Sequence, residues 1–223
     1  MLGRGAARGR EPSPPMTTDA SEMMPAGLAV LAARRTVRFY RSDPVPDPLV
    51  HALLDAARTA PSAHNAQSTR FVVIRSAEMK RRLADRMARR WRRDLERSGV
   101  AEAAVRVELR FSLHRFSDAP LLILVGYTME EMDPYPDRGR RRAEETMAVQ
   151  SAAAAVENLL LAAAAHSLGA CWCCAPLFCP GIVRRALGLP PAFAPQALLT
   201  IGYPAHTPPV PPRKPFEHVV AFR

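Results

Sequence analysis

Residues 147–174 read MAVQSAAAAVENLLLAAAAHSLGACWCC, and one glycine divides this nearly apolar run into two kinds of pattern. The first part, 147–168, is Ala-rich and apolar almost all round, as in a helix buried in a domain or at a subunit interface. Gly169 is placed to end it. Glu157 and Asn158 interrupt the most apolar stretch, which falls short of the roughly 20 apolar residues a bilayer requires, so no membrane span is expected. The second part, 170–174, reads as a short strand. Working outward, apolar runs at 70–74, 121–127 and 197–203 predict three more strands. Helical patterns predict 46–60, with Pro46 at its first turn and Pro61 just past its end, then 77–98, and 180–187 ahead of the Pro-rich segment 190–195. Strands separated by helices, with no internal repeat, imply a mixed α and β fold around one sheet.

The chain has 223 residues, 48% hydrophobic and 23% charged, enough for one sizeable core. Its first 25 residues lack apolar periodicity and a secretory apolar segment, so 1–25 is expected to be a disordered tail ahead of a single domain, 26–223. The formal charge of +10 would alone suggest an anionic partner. Lys80 and Lys214 are the only lysines, however, and Arg in place of Lys beside 22 prolines is what GC-rich coding produces. All four cysteines, Cys171, Cys173, Cys174 and Cys179, lie in one short window, the wrong distribution for a disulfide framework. A reduced, cytoplasmic protein is expected. Without a second Cys pair at zinc-site spacing, buried packing is the expected role of these thiols and no metal is expected.

The segment 77–98 concentrates eight arginines: Arg81, Arg82, Arg86, Arg89, Arg90, Arg92, Arg93 and Arg97. Its opposite face carries Met79, Leu83, Met87, Trp91 and Leu95 at every fourth residue, a stripe able to dock on a core. The basic face is a solvated surface by default, with a phosphate funnel and a nucleic-acid surface as the alternatives. No nucleic-acid-binding motif accompanies it, so no specific nucleic acid is expected. The run 138–142 reads as a solvated loop.

Chemistry is concentrated in four segments. Arg34-Arg35-Thr36-Val37-Arg38-Phe39-Tyr40 offers two guanidiniums that one helical turn would bring to the same face, a fork suited to phosphate, with the Thr36 hydroxyl as a further donor. Pro61-Ser62-Ala63-His64-Asn65-Ala66-Gln67 closes a helix with short polar side chains able to address a flat heterocycle. Cys174-Ala175-Pro176-Leu177-Phe178 leaves a strand, and Pro212-Arg213-Lys214-Pro215 is basic.

In this order and spacing the four segments, spread over residues 28–222, resemble the FMN-dependent nitroreductase family. The resemblance implies an α+β, nitroreductase-like fold with a central mixed, mainly antiparallel sheet flanked by helices, in an intertwined homodimer. It implies that Arg34, Arg35, Thr36 and Arg38, with Arg213 and Lys214, hold the FMN phosphate. Pro61, Ser62, Asn65 and Gln67 would border the flavin from the partner subunit, and Gln150, at the head of the central helix, would reach the ring. Pro176 and Leu177 match the loop whose backbone N–H approaches the reactive flavin nitrogen. His64 is a candidate substrate contact, set against a structural or solvent-facing role. No catalytic acid or base is expected, because the flavin carries the chemistry, with NADH or NADPH as donor and a small organic molecule as acceptor. The central helix and a C-terminal strand at 217–222 would join the subunits. In the family Pro-Trp usually follows the Gln, whereas this chain has Ser68-Thr69. The stretches 169–180, 186–190 and 196–204 are most similar to the reductase domains of coenzyme F-420 (dehydro-deazaflavin) biosynthesis. The alternatives are a general nitro, quinone or enone reductase and a flavin-binding protein without turnover.

Overall fold

Every residue of the run Leu121–Tyr127 is buried, which a strand achieves only when both faces of its sheet are covered. The structure, a computed structural model, describes residues 25–223, so the expected disordered tail lies outside the described residues apart from Pro25. The elements are α1 Ala26–Ala33, α2 Asp47–Arg58, β1 Thr69–Ile74, α3 Ala77–Arg97, α4 Glu102–Ser117, β2 Leu121–Tyr127, α5 Arg138–Ala165, β3 Gly169–Cys173, α6 Pro180–Leu187 and β4 Ala194–Gly202. Short 3-10 turns occupy Ala63–Asn65, Ala175–Phe178 and Phe216–His218.

The strands form one antiparallel sheet in the order β1-β2-β4-β3. Because side chains alternate along a strand, β2 feeds two cores. Leu121, Ile123 and Val125 pack with Val50 and Leu53 of α2 and with Ala155, Val156 and Leu159 of α5. Leu122 and Leu124 point the other way, to Leu83 and Met87 of α3 and Val183 and Ala186 of α6. This is the α+β sheet flanked by helices that the sequence implied. α5 is long and apolar enough, by length and composition alone, to cross a membrane. Here it is a core helix whose face from Ala148 to Ala163 closes one side of the sheet.

The predicted stripe of α3 docks, with Leu83 and Met87 buried. Farther along, Trp91 and Leu95 meet Val105 and Leu109 of α4, a helix the sequence pattern had not resolved. Two expectations about the chain path are overturned. The run 138–142 is not a loop but the opening of α5, whose first turn is capped by the Asp137 carboxylate accepting from Arg140 N at 2.9 Å. An N-cap of this kind satisfies a helix donor that would otherwise be orphaned. Gln150 therefore lies well inside α5 rather than at its head. At the C-terminus 217–222 is not a strand: the turn Phe216–His218 is followed by irregular chain with Val219 and Phe222 exposed.

The third correction concerns the arginine segment. Residues 34–38 are extended rather than helical. Val37 N donates to Ala170 O at 3.0 Å, Thr36 bridges Ala170 in parallel and Tyr40 bridges Pro204. A pairing partner distant in sequence wins over the local helical option, and it supplies the parallel element of the sheet. The close approach depends on Gly169, since a Cβ there would sit 2.6 Å from Cβ of Val37. The Tyr40 hydroxyl fastens the other end. It donates to Val37 O at 2.6 Å and pairs with Thr200 Oγ1 at 2.7 Å.

Candidate functional site

The β3 edge of the sheet carries the first half of the site. Extended backbone sends alternate residues to opposite sides, and Val37 is buried while Arg38 is exposed. Arg38 lines a cavity of about 540 Å³ together with Trp91, Arg115, Phe116, Phe178 and the four cysteines. That volume lies within the range of small-molecule sites, roughly 300–1,000 Å³. Pro176, in the 3-10 turn after β3, is buried, and Leu177 is exposed with its N–H donating to Cys174 O at 3.1 Å. The thiols are all free. Cys171 and Cys173 share one face of β3 with their sulfurs 3.6 Å apart, and Cys174 is exposed. The hydrogen bond from Cys173 draws the Cys171 thiol below its ordinary pKa, with Arg38 and Arg115 adding to the effect. The same contact and burial push Cys173 up.

Arg34 and Arg35 do not join Arg38. They line a separate cavity of about 170 Å³ with Val37, Ser167 and Thr207. Arg34 Nε pairs with Glu157 at 3.4 Å. Arg35 folds back to donate to Ala32 O at 2.6 Å and Arg34 O at 2.8 Å. Thr36 is exposed. The single-face fork expected of Arg34 and Arg38 is thus not formed. Arg35 and Arg38 have no carboxylate partner among the described residues. Arg213 and Lys214 lie exposed on the chain after β4 and line neither cavity.

The second half lies at the opposite edge, before β1. Pro61, Ser62 and Gln67 line a cavity of about 330 Å³ with Arg70, Phe71 and Ser151. Gln67 N donates to Ser62 Oγ at 3.0 Å, and Ala63 N to Ser151 Oγ of α5 at 3.1 Å. These side-chain bonds hold a turn in which His64, Asn65 and Gln67 take φ of 53°, 54° and 50°. Left-handed backbone is uncommon for residues other than glycine, although Asn and His are enriched there, and such positions cluster at functional sites. Asn65 and Gln150 are exposed and outside this cavity. His64 is turned toward Glu144 of α5, 3.5 Å away. Ser68 is fully buried, and its hydroxyl has no partner among the described residues.

Sequence reading missed Arg115, because α4 itself was not resolved, and did not connect Trp91 of the core stripe with a cavity. It also missed Asp133 and Glu144, which share no motif with His64. What the arrangement offers is a guanidinium that pairs with no carboxylate among the described residues, beside an aromatic-walled cavity at one edge, and a strained polar turn at the other. That combination suits an anionic group joined to a flat ring.

Over residues 31–203 the chain matches the model of the nitroreductase family. It is 32% identical to an NADH dehydrogenase of Thermus thermophilus, over 90% of this chain and the whole of that protein. It is also 32% identical to a 5,6-dimethylbenzimidazole synthase of Rhodospirillum rubrum, over 82% of this chain and 84% of that one. Among solved structures it is similar to a nitroreductase-like protein of Desulfovibrio desulfuricans in complex with FMN. The TM-score is 0.69 at 27% identity, covering 90% of this chain and 98% of that one.

Proposed function

The chain belongs to the nitroreductase family, and from that premise we propose that it is an FMN-dependent oxidoreductase carrying electrons from NADH or NADPH to an organic acceptor. The observation that carries this reading is Arg38, a guanidinium without a carboxylate partner among the described residues, in the wall of a cavity of about 540 Å³ lined by Trp91, Phe116 and Phe178. Arg35, on the same extended segment, also has no carboxylate partner among the described residues but lines the neighbouring cavity. These residues fit a group that joins a phosphate to a planar ring. Bound FMN supplies the two-electron chemistry. The chain's own residues bind, orient and exclude water. Arg38 takes the phosphate end, and Arg34, Arg35 and Thr36 from the neighbouring stretch, with the exposed Arg213 and Lys214, join it only by turning toward the bound group, while Pro176 and Leu177 present backbone at the ring. Pro61, Ser62, Asn65, Gln67 and Gln150 border the ring from a second copy of the chain.

Sheet order supports that second copy. β1, which follows the 61–67 turn, and β3, which leads into 174–177, lie at opposite edges of the sheet, three strand spacings or about 14 Å apart. A homodimer in which one chain's turn meets its partner's β3 edge brings the halves together. The exposed Phe216, Val219 and Phe222 after β4 are suited to reaching across. The four free thiols fit a reducing cytoplasm.

The acceptor class is the finer part of the proposal. The resemblance over 169–180 and 196–204 favours a dehydro-deazaflavin precursor of coenzyme F-420, ahead of quinones, nitroaromatics or enones. The test is anaerobic mixing of the FMN-loaded protein with NADH or NADPH, followed by an acceptor screen. Rapid bleaching of the flavin absorbance is expected, with reoxidation fastest by the preferred acceptor. Tight FMN binding without bleaching would leave a flavin-binding protein that does not turn over. A second reading, a benzimidazole-forming activity, is favoured by the equal 32% identity to the dimethylbenzimidazole synthase. Chromatography for that product distinguishes it.

A further inference from the structure

Glu144 is 3% exposed on the inner side of α5, and among the described residues its Oε2 has no hydrogen-bond partner. A buried carboxylate oxygen left without a partner is costly, and such groups in native proteins are paired or coordinate a metal. The other oxygen, Oε1, faces His64 Nε2 at 3.5 Å. The third group is Asp133, exposed on the chain between β2 and α5, and one ligand atom from each of the three residues lies within 4.8 Å of the other two. Among the described residues no Lys or Arg forms an ion pair with Glu144 or Asp133, and the side chain that faces Glu144 is the imidazole of His64.

We propose that His64, Asp133 and Glu144 form a binding site for a divalent first-row transition cation, with zinc as its representative. Zinc takes His nitrogen at about 2.0–2.1 Å and carboxylate oxygen at about 2.0–2.2 Å. In a tetrahedron those bonds place ligand atoms about 3.4 Å apart, close to the 3.5 Å found between His64 and Glu144. One nitrogen and two oxygens suit a borderline ion better than a thiophilic one or one that takes only oxygen ligands. The ion's two positive charges balance the two carboxylates. Three protein ligands leave a fourth position open for water or a further ligand. The ligands come from three separate segments, so the ion would tie the left-handed turn 63–67 to α5 and to the chain after β2. It gives His64 a reason to hold a φ of 53°. A protonated His64 paired with Glu144 is the competing account, but it leaves both Oε2 and the approach of Asp133 unused.

The test is a calorimetric titration of the full chain in its FMN-loaded form with Zn²⁺, alongside elemental analysis after desalting. His64→Ala, Asp133→Asn and Glu144→Gln are titrated in parallel. The expected result is one zinc per chain, weakened more than about tenfold in each variant, since even changes behind the ligands cost 10–100-fold. His64 and Asp133 are exposed, so those two variants remain informative if Glu144→Gln fails to fold. Zinc should also raise the melting temperature of the parent chain, and not that of His64→Ala. Absence of zinc binding would overturn the proposal. Binding that survives His64→Ala and Asp133→Asn undiminished would do so equally, because it would place the ion elsewhere.

Discussion

The hydroxyl of Ser68 is fully buried without a partner among the described residues, and a hydroxyl in that position costs about 1–3 kcal/mol of lost hydration. Ser68→Ala is therefore expected to stabilise the protein by about 1 kcal/mol, raising the melting temperature by roughly 2–4 °C for a chain of this size. A lower melting temperature would mean that the hydroxyl has a partner after all. Ser68→Pro should do the opposite. Proline restricts the preceding residue to extended conformations, whereas Gln67 holds φ at 50°. The departure from the family's Pro-Trp thus goes with the left-handed turn it follows. Tyr40 is the second residue whose chemistry has a readable consequence. Burial pushes its hydroxyl far above the ordinary 10, and burial with the Glu145 contact pushes Tyr127 up to about 12. Both folded values are raised, so the stability they contribute is fully present below pH 10 and falls as pH climbs beyond it. Loss of the Tyr40 proton removes the donor to Val37 O, which frees the 34–38 segment. Alkaline titration followed by tyrosinate absorbance and circular dichroism should show late tyrosine ionisation coincident with unfolding. Tyr40→Phe should flatten that dependence. Tyrosines ionising near 10 in the intact fold would contradict it.

Among the elements, β3 and the segment lying along it decide the position of Arg38. A methyl group on Gly169 would sit 2.6 Å from Val37 Cβ and Cγ2, so Gly169→Ala must push that segment outward. Overpacking of this kind costs about 1–3 kcal/mol. FMN affinity should drop together with stability, measurable by fluorescence titration and thermal melting, and unchanged values for both would show that the segment can shift without consequence. This edge also marks where sequence reading stopped. The apolar run of β2 and the amphipathic stripe of α3 announce themselves locally, and both were legible. The path of 34–38 was not, because its partner Ala170 lies more than a hundred residues away and local spacing fitted a helical turn equally well. The start of α5 was missed because Gly139 and four arginines between 138 and 142 look like loop, while the Asp137 cap that rescues the helix is a single side chain. α4 escaped because its buried Val105, Leu109 and Phe116 are set among charged and polar residues. For the site, four candidate motifs could be picked out from their order in the sequence. Their division between opposite edges of the sheet was not, since it follows from strand order, and the pairing of His64 with Glu144 was hidden for the same reason.

For the whole molecule, the account requires that a flavin site be assembled from two copies of one chain. Co-expressing an Arg38→Ala chain with an Asn65→Ala, Gln67→Ala chain tests this, because each mixed dimer would hold one undamaged site and one doubly damaged site. Mixed dimers should recover close to half of the parent FMN stoichiometry, while both parent variants bind weakly. No recovery would place all the ligands within a single chain. The central claim, that this fold holds FMN through the extended arginine segment, is tested most directly by titrating FMN into flavin-free protein and comparing Arg38→Ala with a variant of the α3 surface, Arg81→Ala with Arg89→Ala and Arg93→Ala. The account predicts a yellow parent protein, FMN affinity in Arg38→Ala reduced by about 1.5–3 kcal/mol, the worth of a charge-assisted hydrogen bond, and little change in the α3 variant. A parent that stays colourless, or a loss of FMN confined to the α3 variant, would contradict it.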